Sequence, residues 1–171
     1  MIIEMPYKPF ENQNCSIAAS SAIFGERWSL LIMRDVLLGR RHFQDIKHSL
    51  GVASNILSDR LQTLVDHGLL VRKTRITETG AESTIYAPTR KGVDVQPIII
   101  AIMQWGDKYE APHGAPRVIV HNSCGHEANP AMVCAHCGER ILPSDTHTMP
   151  GPGADERQIA AGRMPPERKA A

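Results

Sequence analysis

No stretch of this chain approaches the roughly 18 consecutive apolar residues that a membrane span needs. The opening MIIEMPYKPFENQN has an early acid, Pro6 and Pro9 where a secretion leader would have a long apolar run. These absences predict a soluble, cytoplasmic protein with no membrane partner. Aromatic residues make up only 5%, so a core must come mainly from Leu, Ile and Val. The net charge of +1 excludes a uniformly basic polymer binder. The four cysteines fit reduced or metal-bound thiols better than a disulfide framework. No G-x-S-x-G motif or paired-carboxylate arrangement appears and the histidines are scattered, so nothing points to hydrolytic catalysis and the expectation is a protein that is not an enzyme.

What is present is 171 residues with 42% hydrophobic content, enough for one domain with a core plus an appendage. Charge is unevenly placed. Between residues 39 and 92, nine Lys and Arg face five Asp and Glu, a local excess of four positive charges. Such a field attracts a polyanion, although a solvated surface could cluster charge in the same way.

Residues 1–14 read as a loose arm, because Pro6 and Pro9 oppose helix. Residues 16–24 are small and apolar and predict a short helix ending at Gly25. Residues 26–38 predict a second helix, with Trp28, Leu31, Ile32, Val36 and Leu37 as a buried stripe stopped by Gly39. Arg40 and Arg41 open a third helix that buries Phe43, Ile46 and Leu50 and ends at Gly51. The next stretch, SNILSDRLQTLVDHG from Ser54 to Gly68, is strongly two-faced. Leu57, Leu61, Leu64 and Val65 recur at helical spacing, with Ser54 as the expected N-cap and Gly68 as the stop. Its other face carries Ser54, Asn55, Ser58, Asp59 and Gln62, with Arg60 on the flank. Short side chains of this kind let a helix come close to base edges in a major groove. Two short helices with a tight connection, the second with a polar outward face, form the helix-turn-helix arrangement.

The period then changes. Residues 69–76 and 82–88 predict a hairpin whose first strand carries Arg72, Lys73 and Arg75, with the turn at 77–81. A basic hairpin directly after such a helix reads as a wing. Thr89 is expected to cap a further helix, which Pro97 either kinks or restarts. Ile98, Ile99, Ala101, Ile102 and Trp105 are more apolar than one buried face requires. That excess predicts a subunit interface, unless the N-terminal arm covers it.

In order and spacing, residues 15–107 resemble the HxlR-type winged helix-turn-helix transcriptional regulators, a branch near the MarR regulators. The resemblance rests on Cys15, Gly25-Glu26-Arg27-Trp28 leading into LLIMRDVLLG, Arg41-His42-Phe43, IKHSLGVASNILSDRLQTLVDHGLLVRK, Tyr86 with Thr89 and Gly92, and Trp105-Gly106. Three positions depart from the usual pattern: Cys15-Ser16 replaces Cys-Pro, Glu26-Arg27 replaces Gly-Lys, and Ala87-Pro88-Thr89 replaces a Leu-Thr ending. The resemblance implies a bacterial DNA binder, dimeric through its first and last helices. The groove-facing set would be Ser54, Asn55, Ser58 and Asp59, with Asp59 either accepting from a base or holding Arg60. Arg40, Arg41, Arg72, Lys73 and Arg75 would contact phosphate or the minor groove. The resemblance also raises a redox or electrophile sensor at Cys15, against the alternative of a small buried filler.

Beyond residue 115 the composition changes. Cys124, His126, Cys134 and Cys137 fall in the order C-x-H-x7-C-x2-C, with His121 as a spare ligand, and residues 116–142 are expected to form a zinc-ribbon-like extension. A structural zinc ion is one reading. A Cys134/Cys137 redox pair, and free thiols or a disulfide in a zinc-less relic of such a ribbon, are the others. Residues 143–171, rich in Pro, Gly and Ala, are expected to be a disordered tail with at most a fleeting helical turn. The fold class expected is therefore mainly α: a winged helix-turn-helix at 15–115 with a two-stranded wing, plus the small Cys/His segment.

Overall fold

A computed structural model of the chain describes residues 14–76, 80 and 82–162. Residues 1–13 of the expected arm, most of the wing tip and the last nine residues lie outside the described residues. The chain divides into two units, Met1–Pro116 and Arg117–Ala171.

The first unit has the order α1 (Ser16–Phe24), α2 (Ser29–Leu37), α3 (Phe43–Leu50), α4 (Ser54–Asp66), β1 (Leu70–Ile76), β2 (Glu82–Pro88), α5 (Arg90–Val93) and α6 (Gln96–Tyr109). Apolar residues at helical spacing place Ile32, Met33 and Val36 of α2, Ile46 of α3, and Leu57, Leu61 and Leu64 of α4 in one core. Leu69, Leu70 and Tyr86 from the hairpin region, and Val95 just before α6, complete it. All seven helical members are fully buried, each worth about 1.5–3 kcal/mol of transfer free energy.

Several boundaries differ from expectation. The second helix starts at Ser29, because residues 26–28 form a turn in which Ser29 N–H donates to Glu26 O at 3.1 Å. The third starts at Phe43, so Arg40 and Arg41 precede it. Ala53, in extended conformation, takes the N-cap position expected of Ser54, which becomes the first helical residue. At Pro97 the helix restarts: Pro97 sits in the first turn of α6, where its missing N–H leaves no helical bond unmade.

The second unit has little regular structure. Two isolated antiparallel bridges, Val120 with Glu127 and Val133 with Arg140, close two short hairpins. A 3-10 turn covers Pro143–Asp145, and α7 spans Glu156–Ala161. The stretch where at most a fleeting helical turn is expected carries this six-residue helix. Asp155 accepts from Gln158 N–H at 2.9 Å, and the Gln158 side chain accepts from Asp155 N–H at 3.0 Å. That reciprocal cap supplies local order that composition does not reveal.

Candidate nucleic-acid interface

The α4 helix is held at both ends. Gly51, at φ +62°, ends α3 in the left-handed conformation, and buried Val52 turns the chain into α4. At the far end Gly68, at φ +69°, ends α4, and Leu69 N–H donates to Leu64 O at 2.9 Å. Thr89 Oγ1 donates to Gly68 O at 2.7 Å, and Lys91 Nζ to His67 O at 2.8 Å. These bonds tie the C-terminus of α4 to the start of α5. Leu57, Leu61 and Leu64 fix its rotation, leaving Ser54, Asn55, Ser58 and Asp59 exposed together. Ile56 also emerges there, at 38% exposure. It was overlooked in the sequence because an apolar residue in an amphipathic helix reads as core.

Two members of the polar stretch are already engaged. Arg60 Nη2 lies 3.3 Å from Glu26 Oε2 and 3.4 Å from Asp59 Oδ2. Of the two roles open to Asp59, this contact fits the holding of Arg60. Gln62 Oε1 accepts from Arg72 Nη2 at 2.7 Å, while Gln62 Nε2 donates to Asp66 Oδ1 at 2.6 Å. Gln62 therefore braces the hairpin against α4.

The hairpin pairs Arg72 with Tyr86, Lys73 with Ile85 and Arg75 with Ser83. Arg72 extends over the Tyr86 ring, its guanidinium carbon 5.8 Å from the centroid. Alternation along a strand then puts Lys73 and Arg75 on the opposite face, where both are exposed. Arg41 and His42 add a third, strand-like edge. Tyr86 N–H donates to Arg41 O at 2.8 Å, His42 bridges Ile85, and Ser83 Oγ lies 3.2 Å from His42 Nδ1. This edge brings exposed Arg41 beside the hairpin. A two-residue bridge is too short to leave an alternating pattern in the sequence.

Arg40 sits differently. Its Nη1 lies 3.7 Å from Asp35 Oδ1, which also accepts from Arg34 Nε at 3.0 Å and Nη2 at 2.8 Å. Asp35 is fully buried, so this acid orients two guanidinium groups from beneath.

Cys15 occupies the N-cap position of α1 and is exposed, so in the single chain it is not a buried filler. The α6 helix has no buried residue. Ile98, Ile102, Trp105 and Tyr109 are each about half exposed, and Ile17 on α1 is 77% exposed.

Among the Cys and His residues, Cys124 Sγ lies 3.3 Å from Nδ1 of His121. His126 instead donates from Nδ1 to the Cys124 carbonyl at 2.8 Å. The Cys134 thiol is held below its ordinary pKa, chiefly by backbone hydrogen bonds from Cys137 and His136 and then by the Cys137 side chain. Among the described residues, no three His, Cys, Asp or Glu side chains converge on one point. The expected Cys124, His126, Cys134 and Cys137 set is therefore not gathered.

A helix-turn-helix with a fixed, exposed second helix and a basic hairpin beside it defines a winged helix-turn-helix protein. The profile of the HxlR-like helix-turn-helix family matches residues 23–114, and the chain belongs to that family. An uncharacterised HTH-type transcriptional regulator of Mycobacterium tuberculosis is 38% identical over 139 residues, covering 81% of this chain and 87% of that protein. The solved structure of PA1607, a candidate transcription factor, is 34% identical with a TM-score of 0.71, covering 81% of this chain and 96% of its own. The redox regulator HypR in its reduced form is 16% identical with a TM-score of 0.51, covering 56% of this chain and 94% of its own, and shares the fold. The chain is thus a transcriptional regulator of the HxlR-like family. Among the described residues, no helix is long and apolar enough to cross a membrane.

Proposed function

We propose that this regulator acts in the cytoplasm and binds a pseudo-palindromic operator as a homodimer, with α4 of each protomer in a major groove. The observation that carries the reading is the joint exposure of Ser54, Asn55, Ser58 and Asp59 on a helix whose other face is locked into the core. Asn55 has the donor and acceptor pair that recognises adenine, and Ser54 and Ser58 allow close approach. Asp59 holds Arg60 on the flank. Arg41, Lys73 and Arg75 meet phosphate or the minor groove, while Arg72 sets the angle of the wing and Arg40 is aimed by Asp35.

The dimer forms through α1 and α6, which would cover the exposed Ile17, Ile98, Ile102 and Trp105. Two-fold symmetry then places half-sites about 10 base pairs apart, centre to centre. Exposed Cys15, at the N-terminus of an interface helix, couples thiol oxidation to the spacing of the two α4 helices.

The test is fluorescence anisotropy on DNA from immediately upstream of the gene, against a scrambled duplex of equal length. A salt-sensitive preference for the native duplex is expected, and it should be lost when Asn55 is replaced by Ala. Equal binding to both duplexes at every salt concentration would count against sequence reading by α4.

A further inference from the structure

The two short hairpins of the second unit are copies of one local structure. In the first, His121 N–H donates to His126 O at 2.9 Å and Gly125 N–H to His121 O at 2.8 Å, with Gly125 at φ +71°. In the second, Cys134 N–H donates to Glu139 O at 2.8 Å and Gly138 N–H to Cys134 O at 2.8 Å, with Gly138 at φ +76°. The flanking bridges, Val120 with Glu127 and Val133 with Arg140, also correspond. Superposing the patterns sets VHNSCGHE on VCAHCGER. His121 falls on Cys134, Cys124 on Cys137, and His126 on Glu139.

A tight turn whose first and fourth residues bear sulfur or imidazole, followed by a left-handed Gly, is half of a tetrahedral metal site. In the second hairpin the pair is Cys134 and Cys137. In the first, His121 and Cys124 stand 3.3 Å apart, Nδ1 to Sγ. His126 holds the place past the Gly and is folded onto the Cys124 carbonyl. Val118, Val120, Met132 and Val133 are all more than half exposed, so among the described residues of this unit no apolar core holds the hairpins together.

We propose that the two hairpins close on one zinc ion through His121, Cys124, Cys134 and Cys137, and that His126 is not a ligand. The two halves are formed separately, and the ion draws them together. Binding releases the thiol protons of the three cysteines to solvent and uses a neutral imidazole.

The experiment titrates zinc into the chelator-treated full chain against a chromophoric competitor, with total metal measured independently. One ion per chain is expected. His126→Ala should leave affinity within a fewfold, whereas His121→Ala should weaken it at least about a hundredfold, because even an outer partner of a ligand is worth 10–100-fold. Cobalt(II) provides a second reading that does not depend on loss. His121→Cys should retain the ion and add thiolate-to-cobalt charge-transfer intensity, while His126→Cys should leave the spectrum unchanged. Loss of the ion in His126→Ala with retention in His121→Ala overturns the assignment. So does an absence of zinc binding, or one ion per two chains.

Discussion

Replacing Arg75 by Ala tests the placement of the wing most directly. Arg75 is exposed on the strand face opposite Arg72 and stands in register with Ser83. Its loss should therefore leave the fold intact and remove a charge from the surface proposed to face DNA. Each phosphate contact contributes about 0.9 to the slope of log Kobs against log salt, and a two-fold dimer carries two copies, so the slope should flatten by about 2 units. Over a fourfold rise in salt, the unaltered protein should then lose about tenfold more affinity than the variant. Anisotropy titrations on specific and scrambled duplexes across that range measure both quantities. Weakening should be nearly equal on the two duplexes. A changed base preference with an unchanged slope would refute the assignment, because Arg75 would then be reading bases. Arg72→Ala is the contrasting control: it also removes the bond to Gln62 and should lower stability by about 1 kcal/mol in urea unfolding.

Other expectations follow from particular contacts. A Cβ at Gly92 would collide with the Leu69 carbonyl and press on Met33, so Gly92→Ala should destabilise the first unit by about 1–3 kcal/mol, read from the urea midpoint. Leu61→Ala, in the fully buried face of α4, should lose about 2–5 kcal/mol in the same assay, and a loss below 1 kcal/mol would mean the core is not as packed. Trp105→Glu lies on an exposed face of α6 and should convert dimer to monomer in light scattering without changing the helical circular dichroism signal. A dimer that survives would move the interface elsewhere. Diamide should release DNA from the unaltered protein but not from Cys15→Ser; release from both would remove Cys15 as the sensor.

Much of the DNA-reading half was legible because its signals are local. The spacing of Leu57, Leu61 and Leu64 defines both the helix and the face that must be buried, and so leaves the Ser and Asn side outward. The change to a strand pattern at Leu70 and the glycines at positions 51 and 68 mark where the elements stop. The two Cys-Gly steps of the second unit were legible as well, but the matching hairpins around them come from the structure. The spacing of Cys124, His126, Cys134 and Cys137 offers His121 only as a spare, and spacing alone does not choose between the two histidines.

The sequence alone determined the order of elements, the amphipathic recognition helix and the basic strand. Helical and strand periods are imposed by backbone geometry over a few residues and need no distant partner. Only the tertiary structure decided which charges are engaged by other side chains. Arg60 meets Glu26, Arg72 meets Gln62 and Arg40 meets Asp35 because packing brings separate elements together, and Arg41 joins the wing by pairing across the loop to Tyr86. Contacts of that kind depend on how the chain folds back on itself, and no local pattern of side chains records them.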